Sequence, residues 1–369
     1  MSITTTTTST VTTTGATTAD VTDNDDNAHD NPEQPMTEHR TPTTMRAAQR
    51  HDYGGVEAVS LHTVDTPTPG AGQVLVRVRA AGVDQGVIHM MTGLPLIARP
   101  MFGIRRPKQP TLGLDVAGTV VAIGPDVERL AVGDEVMGIA DGSFAEYAVA
   151  EEEKLVHRPD GVAVDIAAVS PISGLTALQA LTDVGRLDAG QRVLVLGASG
   201  GVGSFVVQLA HTLGARVTGV ASGPKLDAVR AMGADEVVDY RVDDLSGHAG
   251  RYDLIIDIGG RRPVRVLRRL LEQHGTLVIV GGENGGRFAG GIGRQLWAKI
   301  VSPLVSQRLT FFISAEVRDD IQRVADHLAA GTVVPHIGER VALDDVTEAL
   351  GALVAGDITG KAVIEVAGD

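Results

Sequence analysis

The run Gly197-Ala198-Ser199-Gly200-Gly201-Val202-Gly203 concentrates small residues where the backbone itself can do chemistry. It follows four apolar residues, Val193 to Leu196, and leads into an apolar stretch from Phe205 to Leu213, closed by Gly214. Strand, glycine turn and helix in that order present backbone N–H groups at a helix N-terminus, where the dipole favours anions. A phosphate is the natural guest. A Cβ in the turn would hold the phosphate off the backbone and push strand and helix apart. The spacing is that of the dinucleotide fingerprint G-x-G-x-x-G, with Ala198 in the first position and Gly200 and Gly203 in the others. Ala198, Ser199, Gly200, Gly201, Val202 and Gly203 are therefore expected to bind a dinucleotide.

A second apolar run, Val217 to Ala221, completes a strand–turn–helix–strand unit. An acidic residue just beyond it would bind the ribose 2′-hydroxyl of NAD. This chain has Ser222, Gly223, Pro224 and Lys225 there, and Asp227 comes too late. A hydroxyl and a cation suit a 2′-phosphate, so Ser222 and Lys225 point to NADPH rather than NADH.

These residues need a scaffold to position them. The chain has 369 residues, room for two domains, and its helix and strand patterns alternate as in an α/β protein. It contains no cysteine, which excludes disulfides, thiol catalysis and thiolate zinc sites, and fits a reducing, cytoplasmic setting. A net charge of −14 argues against nucleic-acid binding. No run of ~20 apolar residues suggests a membrane span. Residues 1–44 are rich in Thr, Asp and Asn, with seven acids against Arg40 and little apolar surface, so they are expected to be a disordered tail. They carry neither a signal-peptide nor a transit-peptide pattern, and Met36 or Met45 could be the true start.

Residues 45–165 read as short strands between Gly/Pro turns, a barrel-like domain in which Gln73 to Ala80 alternates most clearly. Several segments follow one another: Leu-Gly-Leu-Asp-Val-Ala-Gly at 112–118, Val-Gly-Asp-Glu-Val at 132–136, Phe-Ala-Glu-Tyr at 144–147, Gly-Leu-Thr-Ala at 174–177, and then the glycine turn. In that order they resemble the medium-chain dehydrogenase/reductase superfamily, and within it the zinc-independent quinone oxidoreductase (zeta-crystallin-like) and alcohol dehydrogenase branch. The resemblance implies a GroES-like catalytic domain made of 45–165 and 315–369, and a doubly wound Rossmann domain over 166–314. It also implies a homodimer paired through the strand Leu309 to Ser314, and a small-molecule substrate.

The resemblance carries site expectations with it. The positions of the family's catalytic zinc ligands are Val83, Leu114 and Asp115 here, and the four-cysteine lobe is absent, so no metal is expected. Thr176, the Gly281 turn and Phe312 are expected around the nicotinamide, Tyr240 beside the adenosine, and Lys361 at the cleft; the pairs Gly259-Gly260 and Gly281-Gly282, at strand ends, are expected to face the cofactor. Asp84, which stands where many relatives have Asn, and His89 are the catalytic candidates. Tyr53, Ser143 and Tyr147 are expected at the substrate mouth. The proton for the reduced product comes from His89 or, as expected here, from solvent. The implied activity is zinc-free, NADPH-dependent hydride transfer to a quinone, enone or related carbonyl. A zinc-free alcohol dehydrogenase or aldehyde reductase is the alternative within the fold, and a non-catalytic NADPH-binding sensor or structural protein is the alternative outside enzymes.

Overall fold

A computed structural model describes residues 41–281 and 286–366. Nearly all of the expected tail, residues 1–40, lies outside the described residues, as does Gly282. Residues 41–44 are described, and part of them belongs to the fold: strand β1 (Thr44–Gln49) starts inside the expected tail, and the Thr43 carbonyl accepts from Thr66 N–H at 2.9 Å.

β1 pairs antiparallel with β2 (Ser60–Asp65). β3 (Gln73–Val83) is long, and its last four residues are buried on both faces. Helix α1 (Gln85–Thr92), not anticipated from the sequence, follows because Asp84 caps it, accepting from Gly86 and Val87 N–H; Gly93 in the left-handed region ends it. After the short α2 (Arg99–Phe102) come β4 (Asp115–Ile123), β5 (Glu135–Ile139), β6 (Tyr147–Glu151) and β7 (Leu155–His157). Phe144 and Ala145, just before β6, bond to β1.

The helices α3 (Val164–Ala168) and α4 (Pro171–Gln179) lead into the second half. It contains β8 (Arg192–Leu196), α5 (Gly201–Thr212), β9 (Arg216–Ala221), α6 (Leu226–Ala231), β10 (Glu236–Asp239) and β11 (Tyr252–Asp257). α7 (Val264–Leu270), β12 (Leu271–Ile279), α8 (Ile292–Val301) and β13 (Arg308–Phe311) complete it. α7 ends at Leu270 because the chain enters the sheet directly at Leu271, which pairs with Tyr252. α9 (Arg318–Ala329), β14 (Ile337–Ala342), α10 (Val346–Ala355) and β15 (Lys361–Glu365) close the chain.

Two sheets result. One has the order β14-β15-β3-β4-β5-β7, with β6 also on β3; the other is a six-stranded sheet in the order β10-β9-β8-β11-β12-β13, parallel throughout. The parallel sheet is covered on both faces, which is why Val193 to Leu196 of β8 form a continuous apolar run. Val193 and Val195 join the core under α4 and α5, while Leu194 and Leu196 join the core under α7 and α8. Alternate residues of one strand thus anchor opposite layers, each buried side chain contributing about 1.5–3 kcal/mol. This is the expected α/β architecture.

Candidate active site

The order of the parallel sheet reverses between β8 and β11, so the crevice beyond their C-terminal ends is where a ligand belongs. A cleft of about 1170 Å3 opens there. Its base is Gly197 with Ser199 to Val202. Val83 to Gly86, Ile88, Ile172 and Ser173 form one side. Val220 to Ser222, Lys225, Tyr240 to Asp244, Arg261 and Arg262 form the other, and Leu353 to Ile358 with Gly360 to Ala362 complete the rim.

The glycine turn has the shape that a pyrophosphate requires. Gly197 has a φ of 87°, which a side chain would strain. α5 begins at Gly201, four residues before the apolar stretch, so the glycines are themselves the first turn of the helix. A Cβ on Gly203 would stand 2.0 Å from the Gly197 carbonyl oxygen, and one on Gly201 would stand 3.2 Å from Lys361 Cδ. The turn therefore exposes a bare backbone with no capping side chain on its helix N-terminus. Ala198 and Gly203 lie behind it: Ala198 is buried against β9, and neither lines the cleft.

At the end of β9, Ser222, Lys225 and Tyr240 line the cleft as expected, together with Arg241, which the sequence reading passed over although it adjoins Tyr240. Tyr240 is exposed, and the Arg241 guanidinium lies 5.8 Å from its ring centre. Lys225 Nζ donates to the carbonyls of Gly356 at 2.9 Å and Ile358 at 2.8 Å, tying this corner to the segment after α10. The same segment donates Gly360 N–H to the Ser199 carbonyl at 2.8 Å. Arg261 and Arg262, also unforeseen, follow directly on the Gly259-Gly260 pair that had been singled out.

Beneath the opposite side, Lys361 Nζ donates to Asp115 Oδ2 at 3.2 Å and to Ser173 Oγ at 3.1 Å, all three essentially inaccessible to solvent. Asp115 Oδ1 accepts from Ile172 N–H at 2.8 Å. Burial pushes the Asp115 carboxyl up to about 7; Lys361 pulls against this, and the nearby Asp84 charge adds to it.

Other expected residues sit elsewhere. Thr176 Oγ1 donates back to the Ile172 carbonyl of its own helix at 2.7 Å, and Thr176 does not line the cleft. Gly259 lines it. Gly281 does not; a Cβ there would lie 2.0 Å from the Ile258 carbonyl oxygen, so its bareness serves strand packing. Phe312 packs on the core under α4 and α5. His89 Nδ1 lies 2.9 Å from the Leu94 carbonyl, and His89 is not among the residues that line the cleft. Tyr53 donates to the Gly103 carbonyl at 2.6 Å and carries Arg99 against its ring at 4.5 Å. Ser143 is fully buried beside Gly113, and Tyr147 packs with Met45 and Ala47. Of the residues expected at the catalytic centre and substrate mouth, only Asp84 lines this cleft.

The chemistry of the zinc-ligand positions does not fit a metal. Val83 belongs to the core, Leu114 packs against it, and Asp115 is committed to Lys361 and Ile172. Among the described residues no cluster of three or more His, Cys, Asp or Glu side chains could hold a metal ion, and no helix is long and apolar enough to cross a membrane.

Residues 70–160 match the family described as alcohol dehydrogenase GroES-like domain, and residues 232–364 match that described as zinc-binding dehydrogenase. A chloroplastic quinone-oxidoreductase of Triphysaria versicolor is 31% identical over 87% of this chain and 98% of its own length. A 2-methylene-furan-3-one reductase of Solanum lycopersicum is 30% identical over 88% of this chain and 79% of its own. A mycobacterial structure solved as a complex with NADPH superposes with a TM-score of 0.72 at 26% identity, covering 87% of this chain and 99% of that one. The fold, the glycine turn at the switch point and these full-length matches agree: the chain belongs to the medium-chain dehydrogenase/reductase superfamily of oxidoreductases.

Proposed function

We propose that the chain is an NADPH-dependent reductase that transfers hydride to a quinone, an enone or a related carbonyl compound without zinc. The observation that carries this is the cleft itself. One end presents a bare helix N-terminus for a pyrophosphate, with Ser222, Lys225, Tyr240 and Arg241 around the 2′-phosphate corner. The other end is walled by Val83, Ile88 and Ile172, and Val83 occupies one of the positions where the family's zinc ligands stand. The names of the quinone-oxidoreductase and 2-methylene-furan-3-one reductase relatives support the same reading. When bound, the dinucleotide supplies the hydride. The glycine turn would hold its pyrophosphate, Ser222, Lys225 and Arg241 would select its 2′-phosphate, and the apolar wall would keep water from the reacting carbon.

The edge strand β13 leads into Ile313, which is 82% exposed, and we infer that this edge pairs across a homodimer. The test of function is NADPH oxidation against quinones, enones and aldehydes, with and without a chelator, alongside dissociation constants for NADPH and NADH. Reduction of quinones or enones that survives chelation, with tighter binding of NADPH, is expected. Turnover of aldehydes alone would make it an aldehyde reductase, and tight NADPH binding without any turnover would make it a sensor or structural protein. Sedimentation of the full chain as a monomer at micromolar concentration would exclude the dimer.

A further inference from the structure

Two segments of this acidic chain contain no acid. Residues 85–114 and 286–315 hold eight Lys and Arg and no Asp or Glu, in a chain whose net charge is −14. The fold joins them. Leu96 N–H donates to the Arg287 carbonyl at 2.9 Å, and Ile97 N–H to the Phe288 carbonyl at 3.1 Å. α2 then continues from one of the paired segments and α8 from the other.

Both segments turn apolar side chains to solvent. Met101 is 68% exposed, Ile104 72% and Phe288 71%. α8 buries only Ala298 and leaves Leu296, Trp297 and Ile300 exposed. Leu296 and Ile300 are one helical turn apart and so share a stripe. Cations stand among these residues. Arg105, Arg287 and Lys299 are exposed and have no acidic partner among the described residues, and Arg106 meets only the exposed Asp52, at 3.2 Å. Arg294, on the inner side of α8, is by contrast turned onto the buried Asp257.

Exposed apolar tips beside unneutralised cations call for a partner that is apolar and anionic at once. The chain's own residues 1–40 supply acids but little apolar surface. None of these apolar side chains lines the cleft, and at such exposures they protrude rather than wall a groove. A lipid headgroup layer accepts protruding side chains without a matching surface. We propose that this face docks on an anionic lipid bilayer. Met101, Ile104, Phe288 and the outer side of α8 enter the boundary between headgroups and acyl chains, and Arg105, Arg287 and Lys299 meet the anionic headgroups. The chain then lies on the bilayer and does not span it, in keeping with the absence of a spanning helix among the described residues. The proposal goes beyond the reductase reading and does not depend on it.

The chain's single tryptophan, Trp297, sits on α8 and reports on this contact. The full chain is mixed with phosphatidylcholine vesicles made with and without phosphatidylserine. Flotation should show binding at least about tenfold tighter to the anionic vesicles, released by high salt. Trp297 emission should shift to shorter wavelength and be quenched by lipids brominated in their acyl chains. Arg105→Glu combined with Arg287→Glu should weaken binding about tenfold, and Met101→Ser combined with Phe288→Ser about as much, without lowering the melting temperature. Arg230→Glu, on α6, should leave binding within about twofold. Equal binding to neutral vesicles, no binding to anionic ones, an unquenched Trp297, or indifference to both double variants overturns the proposal. A native chain that ignores vesicles while Met101→Ser with Phe288→Ser sediments more slowly than it does would assign the face to a second copy, and overturns it too.

Discussion

Replacing Lys361 with Met removes the ammonium and keeps the apolar stem, and the structure sets what this should cost. In the native chain the ammonium compensates Asp115, a carboxyl with no solvent exposure, and also bonds Ser173. Losing one partner of a buried pair typically costs about 3–5 kcal/mol, because the other charge is left uncompensated. Here the loss should depend on pH. The carboxyl has a reference value of 3.8 and is raised to about 7 in the fold, so the folded state binds the extra proton between those values. Stability therefore falls as pH rises through that window, by about 1.4 kcal/mol per unit, and levels off above it. Without Lys361 the folded value rises further, and the decline continues to higher pH. Lys361→Met should thus cost about 1–2 kcal/mol near pH 5.5, where Asp115 is neutral and only hydrogen bonds are lost, and about 3–5 kcal/mol near pH 8.5. Urea unfolding at the two pH values measures both. Lys361→Met with Asp115→Leu should recover most of the loss at high pH, since no charge then remains buried. An equal loss at both pH values, or a loss below about 1 kcal/mol at pH 8.5, would refute the reasoning.

Other outcomes follow from the same geometry. Arg241→Ala should weaken NADPH about tenfold and leave NADH nearly unchanged, as read by fluorescence titration. Lys225→Ala should shrink the same preference and also loosen the 356–360 segment, visible as faster amide exchange at Gly360, whose N–H bonds Ser199. Gly203→Val should abolish dinucleotide binding and lower the melting temperature, because its Cβ has no room beside the Gly197 carbonyl. A chain starting at Thr41 should keep the melting temperature of the full protein, whereas one starting at Met45 should melt lower, since it loses Thr44 from β1 and the Thr43 carbonyl that accepts from Thr66.

What the sequence determined by itself is whatever depends on near neighbours along the chain. The glycine turn, its two flanking strands, and the hydroxyl and cation after the second strand sit within about thirty residues, and a βαβ unit of that length has essentially one way to fold. The alternation in β3 and the buried run of β8 are legible for the same reason, since pleat and burial act residue by residue. Other features depended on register between distant segments. Asp115 and Lys361 are 246 residues apart and meet because β4 and β15 flank β3. Lys225 finds its carbonyl partners 131 and 133 residues away. Family position alone placed His89, Tyr53, Ser143 and Tyr147 at the mouth, but helix α1 turns His89 toward Leu94, and Tyr53, Ser143 and Tyr147 are taken up by packing. Which polar side chains face a cleft depends on how strand ends converge and which helix caps them, and that is settled only when the two sheets close around it.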